Sequence, residues 1–468
     1  MLQGIERIVS ILNNWLYSYI LIVLLIGLGV YFTFKSKFSQ FTLLGHSIGL
    51  LTEEVEMRDG KKGISSFQAF CISAASRIGT GNIAGVAIAI ATGGPGAVFW
   101  MWIIALIGAG SSLVESTLGQ IYKVRDGETF RGGPAYYINQ GLNMRWLGVI
   151  FSVLITITFG FVFNTVQSNT IAGAFNEAFG IKEIITGIIL VIITGYIIFG
   201  GVKRIASVSA IIVPIMATLY IGVAIFIMIK NITLIPSMFK LIFQNAFGIT
   251  QIAGGTLGVT IMNGVRRGLF SNEAGMGSVP NAAATADTSH PIKQGFIQSI
   301  GVFVDTLLVC SATAFIILLS GVLENSSGLK GVQITQAAVA SQVGSWGSTF
   351  IAICVFLFAY SSIIGNYYYG ETNIEFLDTN PVFLIGYRIL ALAMVFFGSI
   401  SSFSLVWDTA DVFMGILAVI NLLVITKLSP IVFAALKDYV GQLREGKNPK
   451  FKSKSIPQLG NVDWWNEE

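Results

Sequence analysis

Charge is what this sequence has least of. Of 468 residues only 11% are Asp, Glu, Lys or Arg, against roughly 25% in an average soluble domain. A surface built from such a chain cannot mostly face water, so it must face lipid. Cysteine is scarce too: Cys71, Cys310 and Cys354 are odd in number, far apart and inside apolar stretches. They indicate neither a disulfide framework nor a zinc site and read as packing residues. The two histidines, His46 and His290, fall in loops without a second ligand at metal-binding spacing and read as surface residues. No HExxH, no GxSxG and no workable Cys/His pair occurs, which removes an intramembrane enzyme. The lack of a filter loop or a charged ring removes a channel. The chain reads as an all-α integral membrane protein that is no enzyme and needs no cofactor and no nucleic acid.

What it has is long charge-free runs: 14–34, 78–114, 146–176, 205–229, 241–265 and 331–370. A bilayer core takes about 20 apolar residues per helix, so the longer runs hide turns. Gly93-Gly94-Pro95-Gly96 is one. With Gly, Pro and charge as punctuation the sequence predicts eleven spans, at 14–34, 65–91, 97–122, 146–172, 183–200, 205–229, 246–271, 293–322, 346–369, 382–401 and 404–427. The first is too long for a signal peptide and has no cleavage pattern after it, so it reads as an anchor that stays. Placing the N-terminus outside puts 21 Lys/Arg in inner segments and five in outer ones, with Arg77 and Arg388 inside spans. That orientation, N-out and C-in, follows the positive-inside rule. Phe433, Leu436, Val440 and Leu443 recur at helical spacing within 431–443 and predict an amphipathic helix on the cytoplasmic face. Lys447, Lys450, Lys452 and Lys454 follow in a polar tail, either drawn to anionic lipid or plainly disordered. The expected division is an anchor and loop at 1–64, a transport core at 65–428 and the helix with its tail at 429–468.

Gly79-Thr80-Gly81-Asn82 is a poor helix continuation in the middle of the second span. A break there frees carbonyls that suit a small cation, and amides at a helix N-terminus that suit a carboxylate. The other reading is close packing through small residues. A second glycine-rich stretch, Gly254-Gly255-Thr256-Leu257-Gly258, opens the seventh span, five spans later. Two interrupted helices at that separation point to a transporter of two inverted repeats with its site at the midplane. Ser361-Ser362 in the ninth span either ligate a hard cation or bond their own backbone. The cluster Asn164 to Asn169, which includes Gln167, either binds substrate or bonds a neighbouring helix. Among ionisable residues in spans, Arg77 and Glu115 read as a structural or gating pair, and Asp408 and Asp411 as an outer lure for cations. Asp305 is open between ligating a second cation and carrying a proton.

The stretches SRIGTGNIAGVAIAIATGGPGAVFWMW at 76–102 and RRGLFSNEAGMGS at 266–278 resemble the two signature segments of the alanine/glycine:cation symporters, that is, sodium:alanine symporters. The resemblance extends over nearly the whole chain. It implies the LeuT-type 5+5 inverted repeat of the amino acid-polyamine-organocation superfamily, with one additional N-terminal transmembrane helix. It also implies sodium as the coupling ion, a small zwitterionic amino acid as cargo, and a multi-pass place in the cell membrane. Carried over residue by residue, sodium falls between carbonyls of Ala75, Ile78 and Phe358 and the hydroxyls of Ser361 and Ser362. Family members often have Thr in that pair; Ser keeps the oxygens and loosens the geometry. The substrate carboxylate falls on amides of the Gly79, Thr80, Gly81 and Asn82 stretch, with Gln167, Gly255, Thr256 and Gly258 around the amino group. Alanine or glycine is the expected cargo, with glutamine preference or proton coupling as alternatives. The 266–278 stretch is expected on the cytoplasmic side as a tight turn at the inner gate.

Overall fold

A computed structural model of the chain describes residues 2–53, 63–127, 129–248, 257–325, 328–456, 459–460 and 462–465, with side chains from Ile8 onward. Apart from a hairpin of β1 (Val124–Asp126) and β2 (Thr129–Arg131), its regular structure is helical. Among the described residues, eight helices are long and apolar enough to cross a membrane: α1 (Ile8–Lys35), α4 (Ala97–Ile121), α5 (Arg145–Phe179), α7 (Gly201–Lys230), α10 (Pro291–Ser320), α12 (Trp346–Leu377), α13 (Pro381–Ile400) and α14 (Phe403–Arg444). A ninth span is the pair α2 (Ser66–Arg77) and α3 (Gly81–Gly93), bent by 49° at their junction. Helix α6 (Glu183–Ile198) is apolar but only 16 residues long. It shows Ile184, Ile188 and Ile192 on its exposed side, as a helix against lipid must.

Of the expected seventh span, the described residues show α8 (Leu257–Asn272), followed after a break by α9 (Val279–Ala284); Ile235–Ala246 form a separate amphipathic helix before it. A further short helix, α11 (Val332–Val343), packs between α10 and α12.

Local chemistry sets the ends. Ser65 and Gln68 cap α2 reciprocally, the Ser65 hydroxyl accepting from the Gln68 amide at 3.1 Å and the Gln68 side chain from the Ser65 amide at 3.0 Å. Gly94 closes α3 in a left-handed conformation, φ 75°, and Asn380 caps α13 ahead of Pro381. Glycine 85 ends a wide π-type stretch that begins at Gly81. Another such stretch, Phe303–Cys310, lies against it, and π-turns of this kind gather at functional sites.

Helix α14 is 42 residues long, about 63 Å. It therefore runs well past a hydrocarbon core of about 30 Å. Residues 431–443, expected as a separate surface helix, are its continuation through Pro430. The tail after it is neither free nor disordered where it is described. Gln442 and the Lys450 backbone exchange two hydrogen bonds of 2.9 Å. The Phe451 amide donates to the Ser289 carbonyl at 2.9 Å, and the Trp465 indole donates to the Gln120 carbonyl at 3.0 Å. Trp465 is 1% exposed. Lys123 lies buried under it, its ammonium 4.0 Å from the Phe130 ring and 5.2 Å from the Trp465 ring.

His290, expected at the surface, is also buried, packed between Tyr439 and Phe451. Burial holds its pKa below the ordinary histidine value. The neutral ring accepts the Ile292 amide on Nδ1 at 3.2 Å and turns Nε2 toward Asp438 at 3.5 Å.

The tail strap makes a checkable prediction. Trp465→Ala removes a burial worth roughly 2 kcal/mol, so the strap opens about thirty times as often. Limited trypsinolysis at Lys450, Lys452 and Lys454 is expected to accelerate by about that factor, with the bundle itself still resistant.

Candidate functional site

Helix α2 stops because Ile78 leaves helical geometry at φ −80°, ψ 80°, and Gly79 follows. The freed groups do not go unpaired. The Gly79 amide donates to the Asn82 side-chain oxygen at 2.9 Å, and the Thr80 amide to the Gln167 side-chain oxygen at 3.1 Å. On the carbonyl side, Ser362 Oγ lies 2.8 Å from Ala75 O, 3.0 Å from Ser76 O and 3.1 Å from Phe358 O. Ser361 Oγ lies 2.8 Å from Phe358 O and 3.4 Å from Ala75 O.

Five oxygens thus converge with two hydroxyl protons between them. An excess of oxygen ligands over protons is what a hard cation fills. Of the expected cation ligands, Ala75, Phe358, Ser361 and Ser362 come together; Ile78 stands at the break, its carbonyl outside these contacts. Gln167 reaches the same place, since a Cβ on Gly79 would lie 3.0 Å from its Oε1 and against Ser362. The rest of the amide cluster bonds neighbours: Asn169 donates to Gly398 O and Ser401 O at 3.1 and 2.8 Å.

Of the glycine-rich stretch at 254–258, Gly254, Gly255 and Thr256 lie outside the described residues. Gly258 sits exposed at the start of α8, thirteen residues and so about 20 Å from Ser271, the α8 residue that abuts Gly81. The break that faces α2 falls at 273–278, inside the stretch expected as a cytoplasmic turn. It is buried throughout. Glu273, Gly275 and Gly277 take left-handed backbone (φ 54°, 86° and 81°). Glu115 receives the amides of Gly275 and Gly277, each at 3.0 Å, and the Asn421 side chain at 2.8 Å.

Glu273 ties the two breaks together, accepting from Ser76 at 2.8 Å and from Ser278 at 2.6 Å. Arg77 does not pair with Glu115 as expected: it donates to Gln298 O at 3.0 Å and Ser112 Oγ at 3.1 Å.

Behind α3 a fully buried carboxylate completes the cluster. Asp305 accepts from Asn82 at 2.6 Å, Ser271 at 2.7 Å and Thr306 at 2.8 Å. On the other side of Gly81, Phe163, Phe270 and Trp407 stack in series, with ring centroids 4.9 and 5.0 Å apart. Beyond them Asp411 holds Arg267 at 2.5 Å and Arg266 at 3.5 Å. Asp411 is thus a pairing residue rather than an outer lure, and the arginine pair is not in an inner loop. The sequence reading missed Ser271, Glu273 and Asn366, which sits 2.6 Å from Ser76. The signal was present in Asn272-Glu273-Ala274-Gly275-Met276-Gly277, where polar residues and alternating glycines interrupt a helix as Gly79-Thr80-Gly81-Asn82 does.

Two broken helices that meet over converging oxygens are the arrangement of a transporter. The sequence profile of the sodium:alanine symporter family matches residues 2–453. The chain belongs to that family. The symporter is therefore a multi-pass membrane transporter of amino acids that uses sodium as its coupling ion, and not an enzyme.

It is 55% identical to the amino-acid carrier protein AlsT of Bacillus subtilis (strain 168) over 99% of this chain and 98% of that one. It is 56% identical to the probable sodium/glutamine symporter GlnT of the same organism, over 99% and 97%. The sodium/alanine symporter AgcS of Methanococcus maripaludis is 37% identical over 92% and 96%. In fold the symporter is similar to a crystal structure of the Eremococcus coleocola manganese transporter. The TM-score is 0.53 at 13% identity, with 89% of this chain and 86% of that one covered.

Backbone contact at the breaks is tight: a Cβ on Gly81 would lie 2.9 Å from the Phe270 ring and 3.2 Å from Ser271 Cα. Gly81→Val is expected to abolish amino-acid uptake in proteoliposomes while the protein still inserts and elutes as wild type from a sizing column.

Proposed function

We propose that the symporter imports a small neutral amino acid, alanine or glycine, with sodium, by alternating access in a LeuT-type 5+5 core of ten helices preceded by the extra helix α1. One repeat runs from α2 to α7 and the other from α8 into the first part of α14, within 65–428. The 1–64 and 429–468 segments are appendages to that core. Support comes from the two breaks, which occupy the same position in each repeat and touch through Ser76 and Glu273, and from the shared fold with the manganese transporter. The N-terminus is outside and the C-terminus cytoplasmic in the cell membrane. Moving Arg266 and Arg267 to the outer half still leaves nineteen Lys/Arg inside.

The observation that carries the reading is the convergence of Ala75 O, Phe358 O, Ser361 Oγ and Ser362 Oγ between α2 and α12. Sodium takes that place, with the Ile78 carbonyl as a further ligand. The substrate carboxylate takes the amides of Gly79, Thr80, Gly81 and Asn82 at the positive end of α3. Asn82 and Gln167 oxygens now fill part of that role, and a carboxylate outcompetes neutral acceptors because its hydrogen bonds are roughly twice as strong. The amino group then faces the C-terminal end of α8, where the carbonyl dipoles are negative. Crowding at Gly79 and Gly81 leaves room for a small side chain only. Glutamine preference is the second reading, because GlnT is as similar as AlsT.

The deciding measurement is uptake of labelled alanine into proteoliposomes under sodium, potassium or proton gradients, with unlabelled glycine and glutamine as competitors. Sodium-driven accumulation blocked by glycine is expected; accumulation under the proton gradient alone would overturn the coupling assignment. Ser361→Ala combined with Ser362→Ala is expected to raise the half-saturating sodium concentration about tenfold or more, equivalent to about 1.4 kcal/mol of lost binding. An unchanged sodium dependence would remove the ion from this place.

A further inference from the structure

The far end of α14 carries a second site that the transport reading leaves unused. After α1, Lys37 and Phe38 adopt left-handed backbone (φ 55° and 57°), and the short helix Ser39–Thr42 turns the chain back. Between this turn and α14 lies a cavity of 770 Å³. Its floor is apolar, made by Leu43, Phe433, Leu436, Val440 and Leu443. Its walls carry Lys35, Lys37, Lys437 and Arg444, and no carboxylate among the described residues lines it. These four side chains are exposed, and none of them is in an ion pair among the described residues. Asp438, next to Lys437, is engaged elsewhere, 3.5 Å from His290 and 2.8 Å from Gln442. Phe34, Phe38 and Phe41 stand exposed beside the opening.

Four like charges in one groove repel each other unless an anion joins them, and an apolar floor beside exposed phenylalanines calls for hydrocarbon. The groove also lies at the charged ends of α1 and α14, two helices long and apolar enough to cross a membrane. A free phosphate would answer only the charge, and a neutral lipid only the floor. We propose that the groove binds one anionic phospholipid, its phosphate among Lys35, Lys37, Lys437 and Arg444 and its acyl chain along Phe433 and Leu436. Cationic pockets between membrane helices recognise lipid head groups in this way. The tail lysines, the obvious candidates in the sequence, are not part of it: Lys447 pairs with Glu445 at 2.6 Å, and the tail is strapped to the bundle.

The test uses the full-length protein released from nanodiscs of mixed phosphatidylglycerol and phosphatidylcholine, with retained lipid counted by native mass spectrometry. Wild type is expected to keep one more phosphatidylglycerol than the variant carrying Lys37→Gln, Lys437→Gln and Arg444→Gln. Apparent affinity should fall roughly a hundredfold, from about 1 kcal/mol for each charge. Lys450→Gln with Lys452→Gln and Lys454→Gln should keep the lipid, and excess glycerol phosphate should not displace it. Equal retention by wild type and the groove variant would overturn the proposal, as would loss in the tail variant or displacement by glycerol phosphate. Wild type alone gives an independent reading should the groove variant misfold: retention that does not fall as ionic strength rises would equally overturn it.

Discussion

A helix that breaks inside a bilayer leaves amides and carbonyls that no water reaches, and each must find a partner in the protein. The centre of this symporter is arranged around that demand, and it is met differently at the two breaks. At the first, the partners are neutral: an asparagine and a glutamine oxygen on the amides, two serine hydroxyls on the carbonyls. At the second, the amides of Gly275 and Gly277 rest on the carboxylate of Glu115. The same side chain also accepts from Asn421 at 2.8 Å, so three donors converge on one buried group. The second break is therefore pinned, whereas the first is held by groups that an ion or a carboxylate can replace. Exchangeable contacts belong where a ligand comes and goes.

The same economy of charge explains the aromatic side of the site. Arg266 and Arg267 are costly inside a membrane protein and persist because Asp411 meets both. Their planar groups also lie over rings, Arg267 at 5.0 Å from Trp407 and Arg266 at 4.3 Å from Tyr17. Tyr17 donates in turn to the Asp411 carbonyl at 3.0 Å. The added helix α1 is thus joined to α8 and α14 by polar as well as apolar contact.

Most spans were legible because a charge-free run of twenty residues has few other uses. The first break was legible because Gly79, Gly81 and Asn82 are weak helix formers in an otherwise apolar helix, and Gln167, Ser361 and Ser362 were legible as polar groups where lipid should be. The break at 273–278 went unread for a physical reason. Arg266 and Arg267 looked like the cytoplasmic end of a span, so Glu273 to Ser278 were read as a turn beyond it. The carboxylate that neutralises them is 144 positions away in the chain, beyond the reach of any local pattern. Glu115 and Asp305 were visible as buried acids, but apart from Thr306 their partners lie far away in the chain, and Glu115 was matched to Arg77 instead. The tail misled in the opposite direction: its lysines suggest solvent, and its anchors, Phe451 and Trp465, are spread too thinly to show a period.

The strap that Trp465 closes joins positions 345 residues apart in the chain. During synthesis the bundle must insert, pack and hold its breaks together before the strap exists, since Gln120 waits for a partner made last among the described residues. Docking of the tail is then a report that assembly has succeeded, because the surface it needs is built jointly by α4, the β-hairpin and the start of α10.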